Sequence, residues 1–217
     1  MKHAPFVRAR QPEQKRQRRE AILGAARELA LQHGVRDVSL GGVAVAVGLA
    51  KSNVSRYFGT REEIYLELAA EEWRGWGEAV AARLGHTSGA AEVAAALAET
   101  LAARPLLCDL IGHAPLSLEH NVSLEAARAF KRAVIGVVAG IGTAVGDTAA
   151  GLTATEGGEL AGAAAALAGV LYPVANPSPV LAELYTQDPE IAATCPPFLP
   201  TLTRALTALI AGIPSLR

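Results

Sequence analysis

The chain has 217 residues, 51% of them hydrophobic, a formal net charge of −1 and only two cysteines. That length can bury a core, the charge excludes a protein that is basic all over, and the cysteine count excludes a disulfide scaffold. The balance is uneven, however: residues 1–61 hold twelve Lys/Arg against four Asp/Glu and the rest hold eight against seventeen, a basic front on an acidic body that points to a nucleic-acid contact confined to one end.

Residues 1–12 lack periodicity and contain Pro5 and Pro12. With Lys2, Arg8, Arg10, Lys15, Arg16, Arg18 and Arg19, residues 1–16 read either as a basic arm able to reach a DNA minor groove or as a solvated leader. A first helix is predicted over about 13–33, with Ile22, Ala26, Leu29 and Ala30 as its apolar stripe and Gly34 as its stop. Ser39 is placed to cap a short second helix whose stripe is Leu40, Val43, Ala44 and Val47, and Gly48 ends it. A third helix follows from Ala50 or Lys51 to Tyr57 and Phe58, and it presents Lys51, Ser52, Asn53, Ser55, Arg56 and Tyr57. Cations and short polar side chains bond phosphates and base edges. Two short helices, a glycine turn and a polar second helix describe a helix-turn-helix, whose bland competitor is a pair of ordinary surface helices. Ala44 is expected at the crossing of the two, where only a methyl fits.

Thr60-Arg-Glu-Glu63 has the form of a capping box. It opens a helix to about Leu84 that carries Ile64, Leu68, Ala69, Trp73 and Trp76 and links the reading head to the rest. From Ala90 the composition turns to Ala, Leu, Val and Gly, with helices expected at about 90–103, 105–113, 123–146, 154–175, 178–187 and 198–212 and boundaries at Pro105, Pro115, Asn176-Pro-Ser-Pro179 and Cys195-Pro-Pro197. Nothing alternates like a strand, so the class is all-α. Cys108 and Cys195 read as buried or semi-buried thiols in a reducing compartment. No secretory leader is visible, and the uncharged run Leu160–Ala175 is shorter than the roughly 20 residues of a membrane span. The expected location is therefore the cytoplasm, with no membrane partner.

Residues 17–76 resemble the DNA-binding domain of the tetracycline-repressor (TetR) family of bacterial transcriptional regulators. The resemblance is carried by Ala21-Ile-Leu-Gly-Ala-Ala26, Gly34, Ser39, Val43-Ala44, Val47-Gly48, Lys51, Arg56-Tyr-Phe58 and Thr60-Arg-Glu-Glu-Ile64. Ser55, where the family usually has tyrosine, and Gly41-Gly42, where a charge is common, depart from the pattern. The resemblance implies an N-terminal three-helix head (17–76) and a larger helical body (77–217) that binds an effector. It also implies homodimerisation through the last two helices and release from a double-stranded operator when a small molecule binds.

Lys51, Ser52, Asn53 and Arg56 are the candidates for base edges, Asn53 and Arg56 foremost. Ser39, Ser55, Tyr57 and Arg61 are the candidates for the DNA backbone. The 154–175 helix, apolar on every face, and the 198–212 helix with its stripe Leu199, Leu202, Leu206, Leu209 and Ile210 fit a four-helix dimer interface. Trp73, Trp76, Phe130 and Tyr172, with His113, His120 and Asn121 as polar partners, are the candidates for the effector pocket, although core packing is the plainer role of each. An apolar or mixed ligand follows from so few aromatics among so many aliphatics. No phosphate-binding, zinc-protease or nucleophile-elbow motif is present, so no enzyme, cofactor or metal is called for. The rival reading is a ligand-binding or scaffolding protein whose head no longer reads DNA.

Overall fold

The computed structural model describes residues 10–217, and every regular element among them is helical. Four helices build the head and its link: α1 (Arg10–His33), α2 (Leu40–Ala46), α3 (Lys51–Val54) and α4 (Arg61–Arg83). α1 begins inside the stretch expected to be an arm. Arg16 bridges Glu13 at 2.7 Å and Glu20 at 3.1 Å, and such i,i+3 and i,i+4 pairs, with an acid in the first turn, favour helix there. Lys2 and Arg8 of the proposed arm lie outside the described residues.

Ser39 caps α2 as expected, its Oγ accepting from the Gly42 amide at 3.0 Å. The helix closes with Gly48 at φ 65° and the Leu49 amide donating to the Ala44 carbonyl, a left-handed stop that glycine adopts without steric cost. α3 is shorter than expected: regular helix ends at Val54, and Arg56 and Tyr57 donate to the carbonyls three residues back. Ser55 Oγ donates to the Lys51 carbonyl at 3.1 Å, a side-chain competitor that tightens the turn. Ile22, Ala26, Val43, Ala44, Val54, Phe58, Ile64 and Leu68 share the head's core. Ala44 is buried, as the crossing demands.

The body consists of α5 (Ala90–Ala102), α6 (Pro105–His113), α7 (Leu124–Gly146), α8 (Ala154–Ala175), α9 (Pro179–Gln187), α10 (Pro189–Ala192) and α11 (Phe198–Gly212). α10 was not anticipated, although Asp188 before Pro189 is a cap followed by a first-turn proline; its Oδ1 accepts from the Glu190 and Ile191 amides, both at 3.2 Å. α4 is the pillar: its first half is buried on nearly every face, between the head and helices α5, α6 and α7. After α6 the chain does not break at Pro115. It widens into one π-helical turn, Ala114–Leu118, in which the Glu119 amide donates to the Ala114 carbonyl.

α7 and α8 cross in close backbone contact. A Cβ on Gly142 would lie 2.4 Å from the Ala154 carbonyl oxygen and 2.8 Å from the Gly158 nitrogen, whereas one on Gly140 meets nothing within 4 Å. The two glycines should therefore respond with opposite sign. Gly142→Ala forces the helices apart and should cost about 1–3 kcal/mol; Gly140→Ala should gain up to about 1 kcal/mol from helix propensity. Thermal unfolding of both variants checks this.

α7, α8 and the segment Phe198–Leu216 are long and apolar enough to cross a membrane by length and composition. This corrects the expectation drawn from Leu160–Ala175: α8 starts six residues earlier and tolerates Glu156 and Glu159 within the span. Only 22%, 33% and 17% of their most apolar windows are covered by the chain itself.

Candidate nucleic-acid interface and effector cavity

α3 turns its apolar residue inward and its polar ones outward. Val54 and Phe58 are buried, while Lys51, Ser52, Asn53, Ser55 and Arg56 are exposed on one surface, with Ser39 and the 81%-exposed Val45 of α2 beside them. Tyr57 is half-buried, and on its far side Lys15 and Arg18 of α1 flank a shallow groove. A cationic shoulder beside a polar helix is the arrangement that seats a major-groove probe and grips the phosphates next to it. Val45 is not among the residues expected here, and Lys15 and Arg18, expected with a basic arm, stand on α1. Val45 is legible in retrospect, one position beyond the buried Val43 and Ala44. Arg56→Ala should cost about 1–3 kcal/mol of operator affinity and relax discrimination at one base position, read by binding to single-base operator variants.

Arg61, expected at the DNA backbone, is engaged within the chain. Its guanidinium donates to the Val35 and Val38 carbonyls, pairs with Glu62 at 3.2 Å and stacks 4.9 Å from the centre of the Tyr65 ring, leaving its side chain 18% exposed. Its place one residue after the Thr60 cap suggests a phosphate contact, but the side chain folds back to hold the connection between α1 and α2. Arg19 is likewise taken, by Glu67, the Tyr57 carbonyl and the face of Phe58. Only half of the capping box forms. Thr60 Oγ1 accepts from the Glu63 amide at 3.2 Å, but Glu63 reaches the amides of Gly59 (2.8 Å) and Ser123 (2.9 Å) instead of that of Thr60. The Ser123 contacts, foremost, hold the Glu63 carboxyl below its usual range.

A cavity of about 860 Å³ opens between α4, α6, α7 and α8. It lies at the upper end of the range, roughly 300–1,000 Å³, that small-molecule sites occupy. Of the expected lining residues it brings together Trp73, His113 and Phe130. The other four stand elsewhere. Trp76 is in the core, edge-on to Trp73 at 5.3 Å, its indole donating to Thr100 Oγ1 at 3.0 Å. His120 is exposed and turned to the Pro115 carbonyl. Tyr172 packs edge-on against Phe198 of α11 at 5.8 Å. Asn121 meets the start of α4: its carbonyl accepts from Thr60 Oγ1 at 2.7 Å and its amide donates to Glu62 at 3.4 Å. These four were chosen for size and polarity, which do not reveal the side of a helix or loop that faces inward.

The walls not foreseen are aliphatic, from Ile111, Val134, Val138, Ala165, Ala166 and Val170, and the charges among them are paired. Lys131 bonds Glu119 at 2.7 Å. His113 Nδ1 lies 3.1 Å from Asp109 Oδ1, and Asp109 Oδ2 accepts from the Val35 amide at 2.8 Å. The Asp109 hydrogen bond raises the His113 pKa against the opposing effect of burial. Burial pushes the Asp109 carboxyl up, but the His113 ring and the Val35 amide outweigh it and hold it below its ordinary value. Cys108, beside them, is buried and its thiol is pushed up to about 12, chiefly by desolvation, which leaves it inert. No cluster of three metal-ligating side chains occurs among the described residues.

Residues 22–68 match the family described as bacterial regulatory proteins, tetR family, and residues 70–215 match the tetracyclin repressor-like C-terminal domain. The chain belongs to the TetR family. It is a ligand-responsive, DNA-binding transcriptional regulator, and the members of its family dimerise. No curated protein matches it by sequence.

Among solved structures, a Thermus thermophilus FadR, a TetR-family transcriptional repressor in complex with lauroyl-CoA, is similar over 89% of this chain and 93% of its own at 19% identity, with a TM-score of 0.57. The fatty acid degradation regulator FadR of Bacillus halodurans is similar over 97% and 96% at 14% identity, with a TM-score of 0.55. The multidrug binding protein EbrR, complexed with imidazole, is similar over 88% and 94% at 19% identity, with a TM-score of 0.56. At these identities the likeness is one of fold.

Proposed function

We propose that this TetR-family chain is a cytoplasmic, homodimeric repressor, released from a roughly palindromic operator by an apolar effector. Residues 17–76 form the reading head and residues 77–217 the effector and dimerisation body, with α4 running through the boundary. Ser39, Ser55 and Tyr57 hold the DNA backbone while Lys51, Ser52, Asn53 and Arg56 meet base edges.

The observation that carries the release mechanism is that the walls of the cavity are also the fastenings of the head. Asp109, on the cavity's α6 wall, holds the Val35 amide between α1 and α2. The segment that supplies Pro115, Leu116 and Glu119 to the cavity continues directly into Asn121 and Ser123, which grip Thr60, Glu62 and Glu63 at the start of α4. An effector that spreads α6 and this segment favours a second placement of the heads. Two half-sites about 34–36 Å apart on one duplex face tolerate only one placement, so differential affinity releases the DNA.

Dimerisation through α8 and α11 is supported by their outward faces. Ala166, Val170 and Val174 of α8 and Ala208 of α11 are exposed and apolar, opposite the residues each helix buries in its own chain. Ala166 and Val170 also border the cavity, so a partner seated there roofs it.

With every charge in the wall already paired, the cavity suits a long aliphatic molecule carrying one hydrogen-bonding end. Acyl chains are of this class, and lauroyl-CoA is the first probe. In a salt-titrated shift assay on the duplex flanking its own gene, the dimer should prefer that duplex over scrambled DNA. Addition of lauroyl-CoA or a free C12 fatty acid should quench Trp73 fluorescence and release the duplex. A monomer, or a dimer without preference for any duplex, overturns the reading.

A further inference from the structure

The chain between α8 and α11 is an excursion with no place in its own subunit. α9 buries none of its residues, and α9 and α10 pack chiefly on each other. It is nevertheless ordered helix: Ser178 precedes a first-turn proline, Asp188 caps α10, and Tyr185 and Cys195 line one cleft at its base. It exposes Val180 (76%), Leu181, Leu184 and Ile191 to solvent, an apolar ridge that a stable monomer has no reason to carry. Its only charges are acidic: Glu183, Asp188 and Glu190.

A second face of the same chain has the complementary character. Along the outside of α7, Ile135 is 67% exposed, and Gly136, Ala139 and Gly140 leave a shallow apolar channel beside it in which added Cβ atoms at the two glycines would meet nothing. Arg128 and Arg132 stand on the same exposed side, and neither forms an ion pair among the described residues.

We propose that the α9–α10 excursion is a clasp that crosses the dimer and docks on the outer face of the partner subunit's α7, leucines into the channel and acids onto the two arginines. The occupant is a second copy because the ridge joins α8 to α11 and so continues the outward faces assigned to the dimer; the inference rests on that assignment. An acidic ridge is unsuited to anionic lipid. Closing both surfaces by one two-fold operation covers each chain's ridge and channel together.

The test is sedimentation of the full-length chain across a concentration series. Leu181→Glu with Leu184→Glu should weaken the dimer by roughly tenfold or more while leaving helix content unchanged, since neither side chain is buried in its own chain. Glu183→Arg with Glu190→Arg should also weaken it, and adding Arg128→Glu and Arg132→Glu to that same chain should restore it. A wild-type monomer would sink the dimer assignment itself. A wild-type dimer that both arm variants leave equally tight overturns the clasp alone, and loss without rescue by the reversed arginines overturns its seat on α7.

Discussion

Arg61→Ala is expected to lower the unfolding midpoint and to weaken binding to every duplex alike, without flattening the salt dependence of the binding that remains. A phosphate-binding arginine would do the reverse: no loss of stability, and a salt slope reduced by about one unit. The side chain donates to the Val35 and Val38 carbonyls and covers Tyr65, so truncation strands two carbonyls beneath the head. Hydrogen bonds from a charged donor are worth about 1.5–3 kcal/mol each. A net loss of roughly 3 kcal/mol lowers the midpoint of a chain this size by about 6–12 °C. Calorimetry gives the first number, and shift assays at three salt concentrations give the second. An unchanged midpoint with a flatter slope would return Arg61 to the DNA.

What could be read in the sequence was local. The Ser39 cap, the Thr60 half of the capping box, the Gly48 stop and the boundaries at Pro105 and Pro179 concern groups within four residues of one another, and the structure places them as expected. The outward face of α3 was legible for the same reason, because burying Val54 and Phe58 fixes the direction of Lys51, Ser52, Asn53 and Arg56. The fastenings between head and body were not. Glu63 to Ser123 spans 60 residues and Asp109 to Val35 spans 74, and nothing in the spelling of either segment announces its partner. The same limit explains the pocket. Trp73 and Trp76 are a turn apart on α4, yet one lines the cavity and the other closes the core, a difference set by where α5 and α7 pass.

Asp109 carries one of those long-range contacts from the wall of the cavity itself, and replacing it should separate the two activities of the protein. Asp109→Ala removes the acceptor of the Val35 amide and should cost about 1–3 kcal/mol of stability. The larger effect is on coupling: the effector still enters, because the aliphatic walls are intact, but its leverage on the head through Val35 is lost and only the Asn121 and Ser123 contacts still transmit it. Allosteric couplings are worth about 1–3 kcal/mol in all, roughly 5–150-fold, so the effector-induced loss of operator affinity should shrink by a part of that range.

The pair also gives this contact a pH signature. His113 titrates above its ordinary 6.5 in the fold, so its contribution is complete below that value and is lost as pH rises through the folded pKa. Asp109 titrates below its ordinary 3.8, so its share is present above that value and is lost as pH falls through the lower folded one. The pair is therefore fully formed between roughly pH 4 and 6.5 and weakens on the alkaline side. Asp109→Asn keeps an acceptor for Val35 but loses the charge. Its unfolding midpoint should trail the wild type's by more at about pH 5.5 than at about pH 8. An equal gap at both would mean that the carboxylate holds the head by its hydrogen bond to Val35 alone and that the histidine is a bystander.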